Sequence, residues 1–261
     1  RAVLEALGAT VVEFGRSEEF VPVDTEAVSE EDRENGRRWA AEHGLDTILA
    51  TDGDGDRPLM ADERGEWLRG DVLGLLCARE LGIRALTVPV SCNTAIEASG
   101  AFDEVLRTRI GSPYVLAGMA TLRERHDRVA GFEANGGFLL GSTLEADGQR
   151  LNALPTRDAL LPALTVMVAA AWRAVPLSRL VEELPPRYTA SDRLQDFPMA
   201  TSRRLLHEWQ AEPAHMARAL RLASPIVAVD TTEGLRVTLE DGDIVHLRPS
   251  GNAPELRCYA E

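Results

Sequence analysis

The chain has 261 residues, 44% hydrophobic and 27% charged, enough to bury a sizeable core in one large domain or two to three small ones. Its formal net charge of -14 argues against general affinity for nucleic acid or anionic membranes, but not against a small anionic ligand held by local arginines. No apolar run approaches the roughly 20 residues of a membrane span, and the widely spaced Cys77, Cys92 and Cys258 favour a reducing, cytoplasmic setting without structural disulfides.

In chain order, Arg1-Ala2-Val3-Leu4-Glu5-Ala6-Leu7-Gly8 lacks an initiator Met and is too short and too interrupted by Glu5 to be a signal peptide. It reads as a helix cut into midway and closed by Gly8, as though the chain were a piece of something longer. Residues 10–14 read as a strand. Ser29-Glu30-Glu31-Asp32 opens a helix by a capping-box-like arrangement, and Gly44 ends it after His43. A strand over 47–51 follows, and 59–61 and 66–68 flank the turn Asp62-Glu63-Arg64-Gly65 as a hairpin. From Gly70 the pattern predicts a helix over 71–81, a strand over 85–90, a helix over 94–99, a strand over 105–109 and a helix over 114–125. A strand over 129–133 and a long apolar helix over 158–172 come next. Leu184-Pro185-Pro186-Arg187-Tyr188 reads as a linker, because consecutive prolines break both element types. Two helices (201–210 and 213–219) and four strands (226–229, 235–239, 244–248 and 255–259) end the chain. The alternation of short apolar runs with helical patterns predicts an α/β fold with mixed, largely parallel sheets.

Three loops carry the chemistry. Ala50-Thr51-Asp52-Gly53-Asp54-Gly55-Asp56-Arg57-Pro58 sets three carboxylates at alternate positions, where intervening glycines let them converge on one hard cation. An EF-hand fits poorly, since Arg57 stands where that loop needs glycine and strands flank it. An arginine beside the carboxylates points instead to an anionic group next to the metal, as in phosphoryl transfer. Gly131-Phe132-Glu133-Ala134-Asn135-Gly136-Gly137 places an acid and an amide on a tight turn suited to sugar hydroxyls, although taken alone it reads more simply as a strand ending in a glycine turn. Arg248-Pro249-Ser250-Gly251-Asn252-Ala253-Pro254-Glu255-Leu256-Arg257 frames a backbone anion nest with two guanidiniums.

Together, in this order and spacing, the loops resemble those of the α-D-phosphohexomutase family, which includes phosphomannomutases and phosphoglucomutases. Asp52, Asp54, Asp56 and Arg57 match its D-G-D-G/A-D-R metal loop in full. Glu133 and Asn135 match its G-E-x-S-G-H/G sugar loop, with Asn for Ser and Gly137 where several members have His. Arg248, Ser250, Gly251, Pro254 and Arg257 match its R-x-S-G-T-x-P-x-L/I-R phosphate loop, with Asn252 for Thr.

The resemblance implies that residues 1–68 are the C-terminal part of domain 2, 69–184 domain 3, and 185–261 a smaller α+β domain 4. The first domain, with its T-A/G-S-H-N-P serine loop, is absent from these residues. Tyr188-Thr189-Ala190-Ser191-Asp192-Arg193 begins like that loop but follows the diproline and has Asp-Arg for His-Asn, so Ser191 reads as a linker serine.

The function implied is a phosphohexomutase, most simply of phosphomannomutase type, with Mg²⁺ as cofactor and hexose phosphates and hexose 1,6-bisphosphate as partners. A phosphoserine would exchange its phosphoryl group with the sugar. Arg57 would be catalytic, Asp52, Asp54 and Asp56 would hold the metal, and Glu133 and Asn135 the sugar hydroxyls. Arg248, Ser250, Gly251, Asn252 and Arg257 would hold the non-reacting phosphate. Ser112 and Gly137 stand where histidines are usual, which leaves the general acid/base unassigned. Arg109 reads as a surface arginine, with phosphate contact as the alternative. The tryptophans Trp39, Trp67, Trp172 and Trp209 read as core or interface residues. Without the serine loop, residues 1–261 alone are expected to bind but not turn over. The competing readings are a non-catalytic sugar-phosphate or metal-binding module and a magnesium-dependent phosphatase with Asp52 as nucleophile.

Overall fold

The computed structural model describes residues 1–19, 21, 23–250 and 253–261. The first helix, α1 (Ala2–Ala6), ends before Gly8, and the expected strand over 10–14 does not form: this segment takes no ladder partner. Helix α2 (Glu30–His43) starts where the sequence places it. The Ser29 hydroxyl accepts from the Asp32 backbone N–H at 3.1 Å, and Gly44 closes the helix in the left-handed region at φ 59°.

Strands β1 (Ile48–Thr51) and β2 (Pro58–Ala61) pair antiparallel, so residues 52–57 are the turn of a hairpin. The second expected hairpin is reduced to one bridge between Ala61 and Trp67, closed by the Leu68 N–H donating to the Met60 carbonyl at 2.8 Å.

The central unit comprises α3 (Gly70–Glu80), β3 (Ala85–Pro89), α4 (Ala95–Ala98), β4 (Glu104–Thr108), α5 (Ser112–Leu122), β5 (Val129–Phe132), β6 (Phe138–Leu140), β7 (Leu144–Ala146), β8 (Gln149–Leu151), β9 (Leu154–Asp158), α6 (Leu160–Arg173) and α7 (Leu177–Glu182). Its sheet runs β4-β3-β5-β6-β9, parallel through its first three strands and antiparallel through the last two. Helices α3 and α6 cover one face around Leu73, Leu76, Phe132, Phe138 and Val166, and α5 covers the other around Val115, Met119 and Leu139. Burial on both faces explains the apolar sequences of the inner strands β3, β5 and β6.

The C-terminal unit comprises β10 (Ala190–Leu194), α8 (Met199–Ala211), α9 (Pro213–Leu220), β11 (Ile226–Asp230), β12 (Leu235–Leu239), β13 (Ile244–Pro249) and β14 (Leu256–Ala260). Its sheet is antiparallel, in the order β10-β14-β13-β12-β11, and packs on α8 and α9 through Leu206, Trp209, Met216, Leu235 and Val237. Ser191 therefore lies within edge strand β10 opposite Tyr259, rather than in a linker. Residues 185–189 between the two units carry no regular structure. The units are joined there by the Asn93 amide, which donates to the Arg187 carbonyl at 2.9 Å and the Thr189 hydroxyl at 2.8 Å.

Trp209 is buried and Trp39 stacks on Phe14, but Trp172 is 87% exposed and belongs to no core. His126 is half-buried against Glu104 at 2.9 Å. All three cysteines are free thiols, and among the described residues no helix is long and apolar enough to cross a membrane.

Candidate functional site

The β1–β2 hairpin supplies the first part of the site. The Asp52 N–H donates to the Arg57 carbonyl at 3.2 Å, the Gly55 N–H to the Asp52 carbonyl at 3.1 Å, and the Arg57 N–H to the Asp52 carboxylate at 3.2 Å. Gly55 sits at φ 76°, a conformation that side chains resist, and this lets the turn curl until Asp52, Asp54 and Asp56 can each offer an oxygen within 4.8 Å of the others. Burial pushes the Asp52 carboxyl above its ordinary range. The Arg57 N–H pulls it back, and Asp54 and Asp56 push it further up.

Two buried polar atoms here have no hydrogen-bond partner, Asp56 Oδ1 and Arg57 Nε. Arg57 Nε lies 3.6 Å from both Asp52 and Asp56, close enough to lower their repulsion and too far to satisfy them. Three hard carboxylates with an orphaned buried oxygen fit a divalent cation taking oxygen ligands.

The second part is the turn after β5. The Glu133 N–H donates to the Gly137 carbonyl at 3.2 Å, the Gly136 N–H to the Glu133 carbonyl at 3.0 Å, and the Gly137 N–H to the Asn135 side-chain oxygen at 3.0 Å. Glu133 and Asn135 are both buried. This turn rests on two other pieces of the site. A Cβ at Gly70, the first residue of α3, would stand 2.1 Å from the Gly136 nitrogen, and one at Gly136 would stand 3.0 Å from Pro58 at the start of β2. The acidic hairpin and the Glu133 turn are therefore in contact.

A side chain that the sequence did not flag joins them. Arg157, near the end of β9, donates from Nε to Glu133 at 2.9 Å and from Nη1 to Asp56 Oδ2 at 3.1 Å. Nothing local marks it: it precedes the apolar helix α6 by three residues and lies 101 residues from the aspartate it pairs with.

The third part lies on the C-terminal sheet. Arg248 and Arg257 are cross-strand partners on β13 and β14. Arg248 Nε reaches Glu233 at 3.3 Å, and Arg257 Nε is buried without a partner. Ser250 is buried, its N–H donating to the Glu255 carbonyl at 2.8 Å, while Gly251 and Asn252 lie outside the described residues. Glu26, on the segment before α2, faces both this sheet and the Glu133 turn. Burial raises its carboxyl, Arg257 and Arg69 pull it down, and Asp24 and Glu133 push it up.

Arg109 is exposed at the surface, as the sequence reads it, and is ion-paired there. It pairs with Glu233 at 2.9 Å, the carboxylate Arg248 also uses, and lies 5.0 Å over the Tyr114 ring. His246 is buried against Tyr259, donating from Nε2 to the Glu233 carbonyl at 2.6 Å, and so belongs to the sheet's core.

Comparison with known proteins agrees with this layout. Residues 69–188 match the family profile described as phosphoglucomutase/phosphomannomutase, alpha/beta/alpha domain III, and residues 200–261 match its C-terminal domain. A phosphomannomutase of Salmonella muenchen is 52% identical over all of this chain and 54% of its own length. One of Sinorhizobium fredii is 45% identical over 99% of this chain and 55% of its own length. The chain thus spans about half the length of these curated relatives. Among solved structures, a phosphoglucomutase/phosphomannomutase family protein from Burkholderia thailandensis superposes with a TM-score of 0.66 at 20% identity. It covers 91% of this chain and 46% of its own. An Aspergillus fumigatus N-acetylphosphoglucosamine mutase, solved with GlcNAc-6P and magnesium, gives 0.52 at 16% identity over 82% of this chain and 45% of its own. With two family domains matched in order and a half-identical relative aligned along the whole of this chain, the chain belongs to the phosphoglucomutase/phosphomannomutase family.

Proposed function

We propose that this chain is the sugar- and metal-binding part of a phosphohexomutase of phosphomannomutase type, an isomerase that interconverts hexose 1-phosphate and hexose 6-phosphate. Residues 1–68 would be the C-terminal part of domain 2, 69–184 domain 3, and 185–261 domain 4; the matched ranges support the last two. The observation that carries the reading is the contact between the acidic hairpin, with its orphaned Asp56 oxygen, and the buried Glu133 turn. Identity of 52% and 45% to phosphomannomutases favours mannose phosphates, and the ligands of the fungal neighbours favour sugar phosphates and bisphosphates as a class.

In this reading Asp52, Asp54 and Asp56 hold Mg²⁺, which when bound supplies Lewis-acid neutralisation of phosphate charge. Arg57, with an unpartnered Nε beside the triad, stabilises the phosphoryl group in transfer from a phosphoserine. Glu133 accepts hydrogen bonds from two sugar hydroxyls, and Asn135 offers an amide beside it. Glu133 lacks any dependence on which end of the sugar carries the phosphate, so it suits a bisphosphate that must turn round. Arg248, Ser250, Gly251, Asn252 and Arg257 grip the phosphate that is not reacting, two guanidiniums across one pair of strands matching its charge.

The test is calorimetric titration of residues 1–261 with mannose 6-phosphate and glucose 6-phosphate in Mg²⁺, alongside ³¹P NMR of mannose 1-phosphate with catalytic 1,6-bisphosphate. We expect saturable sugar-phosphate binding and no conversion, because no T-A/G-S-H-N-P stretch occurs in this sequence. Conversion by these residues alone would overturn the phosphoserine route, and absence of binding would overturn the substrate class.

A further inference from the structure

Arg157 is placed by three independent features. Its side chain is 22% exposed and shared between two carboxylates on different loops, Glu133, which is 4% exposed, and Asp56. Its stem lies on bare backbone: a Cβ at Gly137 would stand 2.8 Å from its Cδ, 3.0 Å from its Cγ and 3.2 Å from its Nε. Asp56, held through Oδ2, keeps Oδ1 buried and unpartnered beside Asp52 and Asp54. The absence of a side chain at 137 is thus the condition for the guanidinium to reach both loops.

We propose that Arg157 is a positioning residue that couples the metal hairpin to the sugar turn. One guanidinium neutralises Glu133 and fixes its orientation, while its other end places a positive charge on the carboxylate that a divalent cation would use. The two duties predict opposite effects. A cation entering the triad works against a resident positive charge, whereas a sugar at Glu133 depends on that guanidinium to keep a buried carboxylate paired and aimed. The inference rests on the proposed reading of the two loops as cation and sugar sites.

The experiment uses the whole chain and two substitutions, Arg157→Gln and Arg157→Lys. Mn²⁺ binding is read by EPR without sugar, and mannose 6-phosphate binding by calorimetry at saturating Mg²⁺, with circular dichroism melts to check folding. For Arg157→Gln we expect Mn²⁺ to bind roughly tenfold more tightly, since one unit of charge beside the site is removed, and mannose 6-phosphate at least about tenfold more weakly. Arg157→Lys keeps the charge but not the fork, so Mn²⁺ affinity stays within about threefold of the parent while sugar affinity is lowered.

A merely structural role would weaken both ligands together. Affinities that fall together in both variants, or that do not move, overturn the coupling while leaving the sugar and metal sites intact. If the parent chain takes Mn²⁺ but no mannose 6-phosphate, the proposed substrate fails. The Mn²⁺ shift then decides by itself whether Arg157 opposes the cation. A parent that takes no Mn²⁺ overturns the coupling as well as the cation loop.

Discussion

Substituting Gly70 with alanine tests whether the start of α3 sets the position of the Glu133 turn. The added Cβ would stand 2.1 Å from the Gly136 nitrogen and 2.5 Å from both the Asn135 carbonyl carbon and the Gly136 Cα, where ordinary contact begins near 3.4 Å. All three atoms are backbone, so no side chain can rotate away to make room. The turn must retreat by about 1.3 Å (the difference between 3.4 and 2.1 Å), or the helix must tilt against a fully buried core around Leu73 and Phe132. Overpacking of this kind costs about 3 kcal/mol, the upper end of the usual range, because neither partner is free to yield. At roughly 3 °C per kcal/mol the melting midpoint falls by about 9 °C. A shift of this size at Glu133 and Asn135 also displaces the atoms proposed to hold the sugar, so on that reading mannose 6-phosphate affinity falls by roughly a hundredfold. Differential scanning calorimetry and titration calorimetry read the two effects. A Gly70→Ala chain that melts within 2 °C of the parent and binds the sugar phosphate equally well would refute the packing argument.

Two other perturbations probe different parts of the molecule. Asp54→Asn removes one of three mutually repelling charges, so the chain should melt slightly higher without divalent cation. It should bind Mn²⁺ roughly tenfold more weakly; a variant that melts lower without the cation and binds it as the parent does would contradict the triad. His246 is neutral in the fold: burial lowers its affinity for a proton, the neighbouring Arg236 and Arg248 add to this, and Nδ1 has no partner. Below about pH 6.5 the unfolded chain takes up a proton that the folded chain refuses, so stability is held above 6.5 and lost as pH falls towards the folded value. Urea denaturation at pH 7, 6 and 5 should show a slope of at most about 1.4 kcal/mol per pH unit from this group, absent in His246→Gln. An identical slope in that variant would place the pH dependence elsewhere.

The sequence by itself determined most elements and the residues from which the three loops are read, because those signals are local. The capping serine at 29, the glycine closing α2, the alternating aspartates and the diproline each act within a few residues. The short strands β6 to β9 were not legible, since three to five residues carry neither a two-residue nor a helical period long enough to read. Residues 10–14 look like a strand but find no neighbour to complete a ladder, and β10 looks like linker yet gains one from β14. Ser191 shows the same dependence on partners, a residue whose surroundings in sequence say linker and whose place is fixed by a strand nearly seventy residues on.

What only the tertiary structure decided is which charges meet. Arg157 lies between Asp56 and Glu133, Arg109 shares Glu233 with Arg248, and Gly70 touches Gly136, pairings separated by tens to more than a hundred residues. A guanidinium's reach and a glycine's bareness are properties of single residues, but their effect depends on what the fold brings against them. Ion pairing falls off with distance through space and packing acts only at contact, and neither depends on separation along the chain.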